Sequence, residues 1–149
     1  MTDEKLRPRE ASRNLVQRGS HGETICRPMA EDEFLSSEGV HILESWNVSE
    51  DPQLSIARAR LGPGQASRPH RLRNTAERYV IVSGAGELQV GSLPTTPAHP
   101  GDVVYIPPGV RQSIVNTGPV DLVFYCICSP RFDAADYEAL PGTSSDPGV

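Results

Sequence analysis

Glycine and proline punctuate every apolar run in this chain, and that limits what it can fold into. The runs SIARARL, ERYVIVS, ELQV, VVYI, SIVN and LVFYCICS are each too short for a core-building helix. Between them stand GPG at 62–64, Gly84-Ala85-Gly86, prolines at 94, 97 and 100, Pro107-Pro108-Gly109 and TGPVD at 117–121. The 149 residues hold 13 glycines and 14 prolines, a supply suited to turns. Many short β-branched runs with turn signals between them predict an all-β barrel or sandwich. In a small barrel alternate residues line the interior, so a ligand site is assembled from scattered strands.

Charge and apolar content narrow the partners. A formal net charge of -5 lacks the broad basic field of a nucleic-acid binder, so no nucleic acid is expected. No apolar stretch approaches bilayer length and MTDEKLRPREASRN has no signal-peptide core, which predicts a soluble, cytoplasmic protein without a membrane partner. Cys26, Cys126 and Cys128 are odd in number and lack C-x-x-C spacing, so reduced, buried thiols are expected.

Along the chain, residues 1–22 form a charged arm, 23–138 the barrel and 139–149 a frayed tail. ETICRPM suggests a short strand, AEDEFLSSEG a helical turn or loop, and Val40 to Val48 a strand. SIARARL alternates apolar with polar residues, as a half-buried strand does. Glu77 to Val82 and GELQVG suggest the two arms of a hairpin, and the prolines after it a stiff loop. Pro107 and Pro108 must end or edge VVYI, since neither donates a backbone hydrogen bond. FDAADYEAL suggests a short helix capped by Asp133.

Two spaced patterns carry the chemistry. Gly64-QASRP-His70-R-Leu72-RNTA-Glu77-RYVIVS-Gly84 resembles the first motif of the cupin superfamily, G-x5-H-x-H-x3,4-E-x6-G. Gly101-DVVYI-Pro107-P-Gly109-VR-Gln112-SIV-Asn116 resembles the second, G-x5-P-x-G-x2-H-x3-N. The resemblance implies a cupin double-stranded β-helix, a jelly-roll barrel with short N- and C-terminal extensions. It also implies one divalent metal at the barrel centre, held in typical cupins by three histidines and the glutamate. This chain keeps His70 and Glu77 but has Leu72 and Gln112 at the other two ligand positions. Leucine cannot coordinate, whereas an amide carbonyl is a neutral oxygen donor.

The expected metal set is therefore His70, Glu77 and Gln112 around zinc, iron, manganese or nickel, and the opposing expectation is a polar pocket with no metal. On the latter, Glu77 pairs with one of the nearby arginines and Gln112 satisfies backbone groups. Strand alternation places Tyr79 and Ile81 on the face of Glu77, which makes Glu77 and Tyr79 the candidate catalytic pair. Leu122, Phe124, Cys126 and Cys128 share a face, and His41 is the histidine outside the motifs best placed to enter the barrel.

The run from Ile106 to Glu138 is similar to small single-domain cupins of the conserved-barrel kind, a resemblance that implies a homodimer involving the N-terminal segment. The functional expectation is a small-molecule cupin with a modified metal site: a metal-dependent isomerase, lyase or cyclase, or a dioxygenase. The alternative is a non-catalytic cupin that binds a sugar or organic acid without metal. Arg68, Arg71 and Arg73 around His70 suggest an anionic ligand.

Overall fold

Alternation of side chains across short strands, with a turn after each, gives two facing antiparallel sheets. The computed structural model describes residues 16–27 and 32–142. Its strands are β1 (Val16–Arg18), β2 (Thr24–Cys26), β3 (Phe34–Leu35), β4 (His41–Trp46), β5 (Ser55–Leu61), β6 (His70–Leu72) and β7 (Ala76–Ser83). They continue as β8 (Gly86–Val90), β9 (Thr96–Ala98), β10 (Val103–Ile106), β11 (Gln112–Asn116), β12 (Leu122–Ser129) and β13 (Tyr137–Ala139).

One sheet has the order β10-β7-β12-β5-β4-β3 and the other β13-β6-β11-β8-β9, with β1-β2 as a separate hairpin. From β5 to β13 each connection except β8–β9 passes from one sheet to the other, as in a jelly roll. Among the described residues no helix is long and apolar enough to cross a membrane.

Several local expectations are corrected. β7 and β8 are not paired as a hairpin: β8 lies in the opposite sheet, between β11 and β9. Gly86 shows why, since a Cβ there would stand 2.6 Å from the Val115 carbonyl oxygen on β11. The proline-rich loop contains the edge strand β9, where Pro97 is tolerated because one side of the strand needs no donor. FDAADYEAL makes only one 3-10 turn, Ala134–Asp136, with Asp133 capping it through Ala135 N–H at 2.9 Å. The chain then pairs with β6 as β13, so sheet edge pairing prevails over helix continuation. Within the 1–22 arm, Val16–Arg18 pairs with Thr24–Cys26; residues 1–15 and 143–149 lie outside the described residues.

The inward faces divide the barrel into two parts. Ala59, Leu61, Ile81, Leu88, Ile106, Ile114, Leu122 and Phe124 pack into an apolar core, each essentially inaccessible to water. Continuing along the same strand faces, β5, β6, β7 and β12 present Ser55, His70, Glu77 and Cys128 instead, and there the interior is a cavity. Tyr79 and Gln112 lie next along β7 and β11 from the core residues Ile81 and Ile114.

Motif residues shape this frame. All four motif glycines, Gly64, Gly84, Gly101 and Gly109, have positive φ. At Gly84, φ is +83° and an added Cβ would lie 2.5 Å from the Asp121 carbonyl oxygen, so only glycine lets β7 end beside β12. Asn116 clamps the following turn by donating to the Leu61 and Val120 carbonyls at 2.9 and 2.8 Å and accepting from Gly118 N–H at 2.9 Å.

Candidate active site

β6 puts His70 and Leu72 inside and Arg71 outside, in line with a period of two. His70 is 3% exposed and Gln112, its cross-strand neighbour on β11, 1%. The His70 Nδ1 lies 2.8 Å from the Arg68 carbonyl, which makes Nδ1 the protonated nitrogen and leaves the Nε2 lone pair facing the cavity. The ring stacks on Tyr137 at 5.2 Å between centroids. Burial pushes the imidazole pKa down, against opposing help from the Arg68 carbonyl and Glu77.

The residue that Nε2 meets is one the two motifs do not contain. Glu38 Oε2 lies 3.0 Å from His70 Nε2. Glu38 sits in the turn between β3 and β4, closed by Ser36 N–H to the Val40 carbonyl at 2.8 Å. Its own carbonyl accepts from Arg68 N–H at 2.8 Å, so backbone and side chain both tie this turn to the first motif. Burial raises the Glu38 carboxyl pKa to about 7.

Glu77 enters from β7 and is 8% exposed. Its carboxyl pKa is raised by burial and by the charge of Glu38, with His70, Gln112 and Cys128 acting in the opposite direction. Cys128 Sγ approaches Glu77 Oε2 at 3.4 Å. Gln112 also reaches Glu77, although its amide nitrogen makes no fully aligned hydrogen bond, and its carbonyl oxygen accepts from the Tyr79 hydroxyl. Burial drives the Tyr79 phenol and the Cys126 and Cys128 thiols to higher pKa, so all three are protonated donors at neutral pH.

The cavity has a volume of about 80 Å³. Glu38, Glu44, His70 and Glu77 are its ionisable carboxyl and imidazole groups, set among aliphatic and aromatic walls that include Leu72, Phe34, Phe132 and Tyr137. Burial also raises the Glu44 carboxyl pKa.

Expected site residues thus meet different fates. His70, Glu77 and Gln112 come together, and Tyr79 touches Gln112 rather than the cavity. Cys126 and Cys128 do line the cavity. His41 does not join them; it faces Arg60 across β4 and β5 and acts on the charge of Glu33. Glu77 is not paired with an arginine, because Arg71 and Arg73 both reach Glu138, at 2.7 and 3.0 Å.

The donor set tests the metal expectation. Leu72 is part of the wall, the Gln112 carbonyl is engaged by Tyr79, and Glu38 closes on the free nitrogen of His70. Among the described residues no group of three His, Cys, Asp or Glu side chains is arranged to hold a metal ion. These donors do not fit the divalent-ion site implied by the motif resemblance.

The family model described as the Cupin domain matches residues 57–128. Glucose-6-phosphate isomerase of Pyrococcus horikoshii is 28% identical over 110 residues, covering 64% of this chain and 58% of the relative, so the match spans less than two thirds of that relative. A Cupin 2 conserved barrel domain protein from Salinispora arenicola has a TM-score of 0.60 at 25% identity, over 73% of this chain and 88% of that one. Pac13, a nucleoside dehydratase, shares the fold with a TM-score of 0.63 at 19% identity, over 76% of this chain and 89% of that one. With both motifs inside the matched region and the double-sheet barrel around them, the chain is a small cupin-like single-domain protein.

Proposed function

We propose that this cupin is a small-molecule enzyme that moves protons without a resident metal, as a redox-neutral isomerase or lyase does. The observation that carries the reading is the 3.0 Å contact between Glu38 Oε2 and His70 Nε2 inside the cavity. A carboxyl with a pKa of about 7 beside an imidazole of lowered pKa shares one proton near neutrality, and such a pair both takes and returns a proton. Glu77 is the second acid-base group of the cavity. One carboxylate removes a proton from carbon beside a carbonyl, and the protonated partner returns it to oxygen or to the adjacent carbon. The atoms, net charge and electron count of the substrate are unchanged by an isomerisation of this kind.

Gln112 and Tyr79 position Glu77 and do not touch substrate in this scheme. The sequence likeness to sugar-phosphate isomerases supports proton transfer on a carbohydrate-sized compound. A homodimer belongs to the proposal as well, supported by exposed Val82, Val103, Tyr105 and Tyr125 on the outer face of the six-stranded sheet.

Chelator-treated protein in D₂O, incubated with a panel of small aldoses, ketoses and deoxy-ketones and followed by NMR, tests the reaction. Deuterium should enter at carbon beside the carbonyl, and Glu38→Gln should slow that exchange by at least about 100-fold. Exchange that requires added metal, or that survives Glu38→Gln unchanged, would rule the scheme out. Binding of a panel member without exchange in the native protein would make the barrel a carrier.

A further inference from the structure

We infer that the cavity takes an uncharged ligand presenting hydroxyl or carbonyl oxygen and rejects phosphorylated or carboxylated compounds of similar shape. The inference rests on the cavity being the substrate site and concerns what can enter it. Its lining holds Glu38, Glu44 and Glu77 and, among the described residues, no lysine or arginine.

The arginines that gave the first motif its basic character are committed elsewhere. Arg71 points outward and pairs with Glu138, as does Arg73. Arg68 is exposed and serves the site only through its backbone groups, donating to Glu38 and accepting from His70. Arg131 is near enough to act on the charge of Glu44, but Asn47 holds it at 3.0 Å and it is not part of the wall.

A phosphate or carboxylate entering this space would give up its hydration, meet no fixed cation and face three acids. An uncharged oxygen function carries a far smaller desolvation cost. It can accept from a protonated carboxyl and donate to a carboxylate. Ser37 lines the same cavity, and its hydroxyl has no hydrogen-bond partner. An ammonium group would meet the acids, but it would have to leave water for walls that are mostly aliphatic and aromatic. Phe34, Phe132 and Tyr137 favour a ligand with a flat or ring-shaped apolar part.

Three probes of one shape and different charge test this: benzyl alcohol, benzoate and benzylammonium, titrated near neutral pH into the full-length protein. Binding is read from the backbone amide NMR shifts of residues 70–77 and 126–128. Benzyl alcohol should bind at least ten-fold more tightly than benzoate and more tightly than benzylammonium. Ser37→Lys, which adds a cation to the wall, should raise benzoate affinity at least ten-fold. Tightest binding by either ion, binding by none of the three, or no gain for benzoate in Ser37→Lys would overturn the inference. Because this reads binding alone, a preserved charge preference in a protein without deuterium exchange would remove the catalytic reading and leave the ligand class standing.

Discussion

Glu38 shows where local sequence stops being informative. The resemblance to the cupin motifs implied that His70, Glu77 and Gln112 meet; alternation along a strand could not, because they stand on β6, β7 and β11 in two different sheets. Glu38 belongs to no spaced pattern: Ser-Ser-Glu-Gly looks like any polar turn, and only the tertiary bond from Arg68 N–H to its carbonyl sets it over His70. Its raised pKa has a thermodynamic signature. The folded state binds the proton up to about pH 7, whereas an ordinary carboxyl releases it near 4.5. Stability from this group is therefore complete below the lower value and is lost as pH rises through the upper one. Glu38→Gln removes that penalty, and should stabilise the protein by up to about 3 kcal/mol at about pH 8 and far less at about pH 5. Urea melts at the two pH values check it; equal effects at both would mean that the carboxyl is not shifted. Leu72 makes a second prediction at this scale. Leu72→His adds an imidazole to the wall that already holds Glu38, His70 and Glu77, and bound zinc should rise from a trace to near one per chain by elemental analysis.

Individual strands were easier to foresee than their pairing. SIARARL is β5 residue for residue, and LVFYCICS is β12, because period-two patterning and bounding turns act within the strand itself. The expected hairpin between Glu77 and Val90 failed since Gly84-Ala85-Gly86 carries the chain across to the other sheet, a step set by close backbone contacts with Asp121 and Val115. The terminal helix failed because β6 had an open edge for Tyr137–Ala139 to fill. These contacts identify the fragile points. Gly84→Ala combines a left-handed φ with a backbone clash and should cost at least about 2 kcal/mol. Asn116→Ala strands a turn amide and two carbonyls and should cost roughly 2–4 kcal/mol. Chemical denaturation of each variant measures both; a loss below about 0.5 kcal/mol would show that the turn relaxes without its clamp.

On the scale of the whole barrel, one end is a packed apolar core and the other a cavity with acid-base groups, and the same strands supply both. Inward positions switch from Ile81, Leu122 and Phe124 to Glu77, Cys126 and Cys128 along β7 and β12, so core stability and site chemistry share one frame. Tyr79 packs its ring on Phe124 at 4.7 Å while its hydroxyl holds Gln112, and thus joins the two ends. Tyr79→Phe should keep the ring packing and release Gln112, lowering exchange activity and costing about 1–3 kcal/mol in urea melts for the stranded Gln112 carbonyl. The outer face gives a further test at this scale: sedimentation equilibrium should report a dimer that Tyr105→Glu weakens, and a monomer in the native protein would remove the homodimer. Everything proposed for the site depends on Glu38 and His70 sharing a proton within this cavity. The direct measurement is the ¹⁵N shift of both His70 ring nitrogens between about pH 5 and pH 9, in chelator-treated native protein and in Glu38→Gln. Nδ1 should stay protonated throughout while Nε2 reports a transition near pH 7 that disappears in the variant; an Nε2 titration unchanged by Glu38→Gln would rule out the shared proton.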